Sequence, residues 1–187
     1  GEVSRIAQPF IQTACALRQQ LPDLEVVVPL VNQKTRAIFD GQLSRYCKGL
    51  DPVVVLGQTR AALAAADVVL VASGTATLEG LLSKRPMVVG YRANAATYAV
   101  IQGLGMVKVR HVAMANLLAD ERLAPELIQG DCEPSRLLPP LLDFFADAEK
   151  REQIARRYSE IHRQLRTDTN RAAAEAVVAL LRERGLV

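Results

Sequence analysis

Aromatic residues are scarce in this sequence, whose 187 residues include four phenylalanines, four tyrosines and no tryptophan. This scarcity argues against the stacked aromatic platforms with which proteins bind single-stranded nucleic acids. The 23 basic and 20 acidic residues leave a net charge of only +3, which does not indicate a nucleic-acid partner either. No apolar run reaches the length of a membrane span, and no basic start leads into an apolar run. We therefore expect neither a transmembrane helix nor a signal peptide.

Cysteine and histidine are also few. Cys15, Cys47 and Cys132 are an odd number, lie far apart and form no CxxC pair, so free thiols in a reducing cytoplasm are expected. His111 and His162 belong to no cluster with metal-ligand spacing, and no pair of carboxylates stands out as an acid–base dyad. The sequence therefore predicts no metal site.

Half of the residues are apolar, which is enough for the core of one domain. Short valine-rich runs alternate with helical segments, and this pattern predicts an α/β fold: a Rossmann-like parallel sheet with helices on both faces. Strands are expected near residues 24–30, 52–56, 67–72, 86–90 and 106–109. Helices are expected over residues 2–20, 34–48, 58–66 and 94–104, and also between the third and fourth strands.

Beyond residue 132 the apolar residues recur only with the period of a helix. We expect three helices there, over residues 134–146, 149–166 and 170–184. The sequence therefore predicts a domain over residues 1–132 and a helical C-terminal tail over residues 133–187 that packs on it.

The second helix of this tail is basic, because it carries Arg156, Arg157, Arg163 and Arg166. A solvated face balanced by Glu152 and Glu160 is the interpretation we favour. The alternative is contact with anionic lipid headgroups.

The most informative segment runs from Val68 to Arg92 and has the order strand, tight polar turn, helix, strand. Such turns lie at the carboxyl ends of parallel strands, where α/β sheets bind ligands. The small residues Ser73, Gly74 and Thr75 let the backbone approach a ligand, and the helix start favours an anion such as a phosphate. Glu79 lies about one turn inside the helix, where it can accept hydrogen bonds from the hydroxyls of a sugar.

Polar residues lie at the ends of these strands and in the loops that follow them. As a set they suit recognition of a phosphorylated, hydroxyl-rich ligand rather than bond making. The members of this set are Ser73, Thr75, Thr77, Glu79, Arg92, Asn94 and Asn116. The structural alternative is that Ser73 or Thr75 only caps the helix. The segment has neither the GxGxxG nor the GxxxxGK[ST] spacing of the familiar nucleotide loops. It also has no GxSxG elbow for a serine nucleophile.

At these residues the sequence resembles a known family. ADVVLVASGTATLEGLLSKRPMVVGYR is similar to the C-terminal half of lipid-A-disaccharide synthases, bacterial inverting glycosyltransferases of the two-domain GT-B fold. The stretches GEVSRI, PDLEVVVPL, MANLLADERLAPELIQGDCEP and RQLRTDTNRAAAEAVVALL resemble the same family. Together they cover essentially the whole chain.

The resemblance implies a hexosyltransferase reaction. The family transfers 2,3-diacylglucosamine from UDP to the 6-hydroxyl of 2,3-diacylglucosamine 1-phosphate, giving the lipid A disaccharide and UDP. It implies no metal and no organic cofactor. The partners it implies are the UDP-diacylglucosamine donor, the acylated glucosamine 1-phosphate acceptor, the inner-membrane surface and a homodimer, with no nucleic acid. The expected location is the cytoplasm, peripheral to the inner membrane.

The resemblance also assigns substrate-binding residues. Ser73, Gly74 and Thr75 would approach the diphosphate, and Glu79 would approach the ribose. Thr77 is also assigned to substrate binding, without a specific role. Asn116 matches a functional asparagine of the family. Arg92 and Gln129 match recurrent positions of less definite role.

The family's catalytic base lies on an N-terminal domain, and a donor-binding Gly-Ser-Arg loop precedes the stretch that matches Gly1-Glu2-Val3. The chain has no initiator Met and enters a helical pattern at once, so we expect a piece of a longer protein. No residue of this chain is assigned as catalytic, and the chain alone is expected to be inactive in the transfer.

Three alternatives remain open. The first is a lobe of a peptidoglycan-type UDP-N-acetylglucosamine transferase, although the glycine-rich signature of that family is absent. The second is a UDP-sugar epimerase of the same fold, which would require catalytic carboxylates and histidines. The third is a UDP-sugar-binding module without activity.

Overall fold

The computed structural model describes residues 2–94, 111–166 and 169–185. Its strands are β1 (Val27–Leu30), β2 (Val53–Leu56), β3 (Val69–Ala72), β4 (Met87–Tyr91) and β5 (Glu126–Ile128). Its helices are α1 (Glu2–Gln20), α2 (Gln33–Tyr46), α3 (Thr59–Ala65), α4 (Thr75–Leu82), α5 (Met114–Ala119), α6 (Pro134–Ala146), α7 (Ala148–Leu165) and α8 (Thr169–Glu183). A 3₁₀ turn, Gln129–Asp131, follows β5. The strand expected at 106–109 and nearly all of the helix expected over 94–104 lie outside the described residues.

The described strands pair in parallel, as the alternation of strand and helix predicts. They form two sheets, β1–β2 and β3–β4–β5, instead of one continuous ladder. In the second sheet Ala72 lies opposite Gly90, and Tyr91 lies opposite Ile128. The carboxyl ends of its three strands therefore share one edge. The α/β class is confirmed, while the single hydrogen-bonded sheet is replaced by two.

The valine-rich strands are buried where helices cover them. Met87, Val88 and Val89 of β4 have no exposed surface, as is typical of a central parallel strand with both faces covered. The main core surrounds this strand and receives Leu137, Leu141 and Phe144 from α6, and Ile154, Tyr158 and Ile161 from α7. The first two tail helices thus share a core with the sheet, and the boundary at residue 132 stays a prediction.

The first helix joins this core to a second one. Ala7 and Ile11 of α1 pack with Phe39, Cys47 and Leu50 beside the β1–β2 sheet, while Leu17 lies in the main core. The start of α2 is fixed by a capping box, in which the Asn32 side chain accepts the N–H of Thr35 and the Thr35 hydroxyl accepts the N–H of Asn32.

The expectation of three free thiols is wrong for two of them. Because α1 packs on α2, Cys15 and Cys47 come together and form a disulfide, with their Cα atoms 6.2 Å apart. The bond joins residues 32 positions apart, so no local sequence motif predicts it. Cys132 is a free, buried thiol, as expected.

Two short elements are absent from the sequence prediction: helix α5 and strand β5. The strand pairs with β4, and the helix packs on α4. Within the described ranges, no helix is both long and apolar enough to cross a membrane.

Candidate functional site

Three of the expected site residues follow the three strands of the second sheet. Ser73 comes directly after β3, Arg92 after β4 and Gln129 after β5. Because β3, β4 and β5 are parallel neighbours in register, these residues lie at one edge of the sheet. This is the edge at which α/β sheets bind ligands, and we call it the carboxyl edge.

The turn between β3 and α4 leaves the start of that helix without a side-chain cap. Gly74 is the N-cap, and no side chain bonds to the first turn at that position. Its φ of 131° lies in the region that favours glycine. Neither Ser73 nor Thr75 is therefore the cap that the structural alternative required. The open helix start leaves N–H donors and a partial positive charge beside the carboxyl edge.

Thr77 stabilises this turn through hydrogen bonds of its side chain. It is fully buried, and its hydroxyl donates to the Gly74 carbonyl at 2.7 Å and accepts the Met114 N–H at 3.0 Å. The Ser73 hydroxyl donates to the Val112 carbonyl at 3.4 Å. The turn after β3 is thus bonded to the segment that begins α5, and Thr77 shapes the turn without facing solvent.

Glu79 lies on the solvent side of α4. It is exposed, as is Thr75, and a spacing of four residues places both on the same face of the helix. A carboxylate one turn beyond the uncapped helix start is therefore open to a ligand at the turn.

Asn116 is placed differently from the other site residues, because it is fully buried. Its side-chain nitrogen donates to the Ala124 carbonyl at 2.7 Å and to Glu126 Oε1 at 2.9 Å, and its oxygen accepts the Ala124 N–H at 2.8 Å. These bonds fasten the loop between α5 and β5. The side chain of Asn116 is therefore buried against the segment that leads into β5 and does not line an open cleft with Glu79.

Glu126 is a residue that the sequence analysis missed. Its Oε1 accepts the N–H groups of Val112 and Ala113 at 3.0 and 2.7 Å, in addition to the Asn116 amide. Ala113 is the N-cap of α5, and no side chain within its own turn caps it. A carboxylate from β5 thus binds the two N–H groups that directly precede α5. The only sequence signal was its place within the family-like stretch from Met114 to Pro134, which also contains Asn116.

Arg92 lies against the buried thiol of Cys132. Burial raises the pKa of Cys132, and hydrogen bonding and charge from the Arg92 guanidinium partly offset that rise. The thiol is therefore neutral at physiological pH. The Arg92 carbonyl accepts a hydrogen bond from Arg5 Nε at 3.2 Å, which ties the first turn of α1 to the end of β4.

Gln129 has two unusual features. Its φ of 55° lies in the left-handed region that non-glycine residues rarely adopt. Its amide nitrogen is buried and has no hydrogen-bond partner among the described residues. Strained backbone and an unsatisfied donor are features that cluster at functional positions.

The basic face of α7 is largely paired. Arg156 bonds to Glu152 at 3.0 Å, and Arg157 bonds to Glu160 at 2.9 Å and also to Glu121. The prediction that Glu152 and Glu160 balance this face is confirmed for Arg156 and Arg157. Across the part of the chain that the structure describes, no group of three or more His, Cys, Asp or Glu residues is arranged to hold a metal ion.

Comparison with known proteins identifies the family. The model of the lipid-A-disaccharide synthetase family matches residues 1–180. A lipid-A-disaccharide synthase of Xanthomonas campestris pv. campestris (strain 8004) is 48% identical over the whole chain. One from Xanthomonas euvesicatoria is 46% identical over 98% of the chain, and one from Mannheimia succiniciproducens is 42% identical over 97%. The chain spans 43%, 42% and 46% of the length of these three relatives.

A solved structure supports the fold. The crystal structure of the glycotransferase of kitacinnamycin superposes with a TM-score of 0.52 and 24% identity, over 84% of this chain and 35% of that one. The family match and these relatives extend over essentially all of the sequence, and the chain belongs to the lipid-A-disaccharide synthetase family.

Proposed function

We propose that this chain is the donor-binding part of a lipid-A-disaccharide synthase. The whole protein would transfer 2,3-diacylglucosamine from UDP to 2,3-diacylglucosamine 1-phosphate, releasing UDP. The observation that carries the proposal is the convergence of Ser73, Arg92 and Gln129 at the carboxyl edge, beside the uncapped start of α4. Family membership supports the substrate class.

The diphosphate would lie at the turn formed by Ser73, Gly74 and Thr75. The N–H groups at the start of α4 would donate to its oxygens, and Arg92 would add a positive charge. At the start of α5, the Glu126 carboxylate already accepts the N–H groups of Val112 and Ala113, and its negative charge would repel a phosphate there. An anion at this edge would therefore bind at α4.

Glu79 would accept hydrogen bonds from the ribose hydroxyls. It is exposed on the same face as Thr75, so a ribose beyond the diphosphate comes within its reach. Gln129, which directly follows β5 at the same edge, would lie near the ligand on the other side of Arg92. Thr77 and Asn116 would act indirectly, by fixing the turn and the α5–β5 loop.

The role of this lobe in catalysis would be to hold and activate the leaving group. In the transfer, the acceptor hydroxyl attacks the donor's anomeric carbon, the bond to the UDP oxygen breaks, and negative charge develops on the diphosphate. Helix N–H groups and Arg92 placed at that oxygen would stabilise the departing charge. The base that removes the proton of the acceptor hydroxyl would come from the part of the protein outside this chain.

Isothermal titration of the chain with UDP tests the nucleotide site. We expect binding, and Glu79→Ala should weaken it at least tenfold, because a hydrogen bond to a charged group contributes roughly 1.5–3 kcal/mol. Asp67→Ala is the matched control, since Asp67 is exposed and precedes β3 at its opposite end. Equal affinities of the Glu79 variant and the parent protein would remove Glu79 from the site.

Product formation tests the reaction. The chain would be mixed with the N-terminal part of a relative and given the acylated donor and acceptor, and disaccharide would be measured by mass spectrometry. We expect product from the mixture and none from the chain alone. Turnover of UDP-N-acetylglucosamine in place of the acylated donor would favour the peptidoglycan-type alternative, and UDP binding without any turnover would favour a binding module.

The inner-membrane surface and a homodimer complete the proposal. Acylated substrates reside in a membrane, so the catalytic protein would work at its cytoplasmic face. Co-sedimentation with vesicles containing anionic lipid, and light scattering of the chain at several concentrations, test the two parts separately.

A further inference from the structure

Glu126 gathers an unusual number of donors on a single atom. Its Oε1 accepts the N–H of Val112 at 3.0 Å, the N–H of Ala113 at 2.7 Å and the side-chain amide of Asn116 at 2.9 Å. All three donors belong to one short segment at the start of α5. A single carboxylate on β5 therefore fixes where that segment lies.

The same segment contacts the turn after β3. The Val112 carbonyl accepts the hydroxyl of Ser73, and the Met114 N–H donates to Thr77, whose hydroxyl in turn donates to the Gly74 carbonyl. A continuous series of hydrogen bonds thus leads from Glu126 to the turn. In this series Glu126 bonds to the segment at the start of α5, and that segment bonds to the turn.

Loss of the carboxylate would release this segment. The N–H of Ala113 and the amide of Asn116 would lose their acceptor, and buried donors without partners are costly. The N–H of Val112, which is exposed, would turn to water. The segment would move to find new acceptors, and the bonds to Ser73 and Thr77 would shift with it. The turn would then no longer present its backbone in a fixed conformation.

We propose that Glu126 is a positioning residue that sets the conformation of the Ser73–Gly74–Thr75 turn, and through it the affinity for a nucleoside diphosphate. It acts through the 112–114 segment and contacts no ligand itself. The proposal rests on the proposed function, because it assumes that the turn is where the diphosphate binds.

The test compares the parent chain with Glu126→Ala, Glu126→Gln and the control Glu152→Ala, which removes a carboxylate of α7 that pairs with Arg156. UDP affinity is measured by calorimetry at a temperature where circular dichroism shows each protein folded. Amide NMR signals of Gly74 and Thr75 are recorded without ligand. We expect the dissociation constant to rise at least tenfold in Glu126→Ala and less than fivefold in Glu126→Gln, which keeps an acceptor oxygen. The control should stay within twofold.

The NMR signals separate positioning from simple loss of stability. In Glu126→Gln the amides of Gly74 and Thr75 should shift before any UDP is added, whereas Glu152→Ala should leave them in place. If Glu126→Ala does not fold, Glu126→Gln alone decides whether Glu126 positions the turn. Unchanged turn signals together with unchanged UDP affinity in Glu126→Gln would overturn the proposal. Absence of UDP binding by the parent chain would instead overturn the proposed function.

Discussion

Replacement of Asn116 by alanine should destabilise the protein strongly. Asn116 makes three side-chain hydrogen bonds, two of them to the backbone of Ala124, and it is fully buried. A net contribution of about 1 kcal/mol for each bond gives roughly 3 kcal/mol. The N–H and carbonyl of Ala124 would also lose their partners, which brings the expected loss to about 3–5 kcal/mol.

A loss of this size is measurable by thermal unfolding. For a chain of this length it corresponds to a fall in Tm of roughly 6–20 °C. Asn32→Ala is the matched control, because it removes the same side chain from an exposed helix cap. A lost cap of this kind costs about 1 kcal/mol, so its Tm should fall by only a few degrees.

The result separates two roles for Asn116. A buried fastener should lower stability first and affect UDP binding only through the loop it holds. The reasoning would be refuted if Tm fell by less than 3 °C while the folded variant bound UDP tenfold more weakly. That result would mean that Asn116 contacts the ligand directly.

Three further predictions concern the core and the disulfide. Tyr158→Phe should leave stability unchanged or raise it by about 1 kcal/mol, because the Tyr158 hydroxyl is buried without a partner among the described residues. Burial also raises the pKa of Tyr158. The parent protein should therefore lose stability above about pH 10, where the tyrosine ionises in the unfolded state but not in the folded one. Chemical denaturation at high pH should show a smaller loss for the Tyr158→Phe variant. Reduction of the Cys15–Cys47 bond by dithiothreitol should lower stability by roughly 3–4 kcal/mol, for a loop of 32 positions; alkylation of both thiols in unreduced protein would contradict the bond. Gly90→Ala should cost about 1–3 kcal/mol in urea unfolding, because the added Cβ would lie 2.6 Å from the Phe10 ring, and an unchanged midpoint would show that the ring moves freely.

Long, strongly periodic elements could be predicted from the sequence. The bounds of α1 and α6 match the prediction at both ends, and α7 and α8 match within one residue. The four Val-rich strands β1 to β4 were found because β-branched runs bounded by turns are distinctive. Local pattern was sufficient where an element was long or rich in one kind of side chain.

Elements defined by their neighbours could not be predicted. Strand β5 has three residues and begins with a glutamate, and α5 has six residues, so neither shows a full period of its pattern. The strand forms because its backbone pairs with β4. The disulfide likewise depends on how α1 packs on α2, a contact that sequence spacing does not encode.

The candidate site was predicted only in part, because some of its residues follow recognisable strands and others depend on distant partners. Ser73, Gly74 and Arg92 were identified because they directly follow recognisable strands. The burial of Asn116 was missed, because asparagine is mostly exposed and its partners lie in a loop without periodicity. Glu126 was missed because its role depends on hydrogen bonds to residues 10 to 14 positions away.

The central claim is that a nucleoside diphosphate binds at the carboxyl edge, and amide NMR of the chain during titration with UDP tests it most directly. We predict that the largest shifts occur at Gly74, Thr75 and Ala76, with further shifts at Arg92 and Glu79. Saturable shifts confined to the groove between the end of α4 and α7, lined by Lys84 and Arg163, would contradict it, as would the absence of any saturable shift.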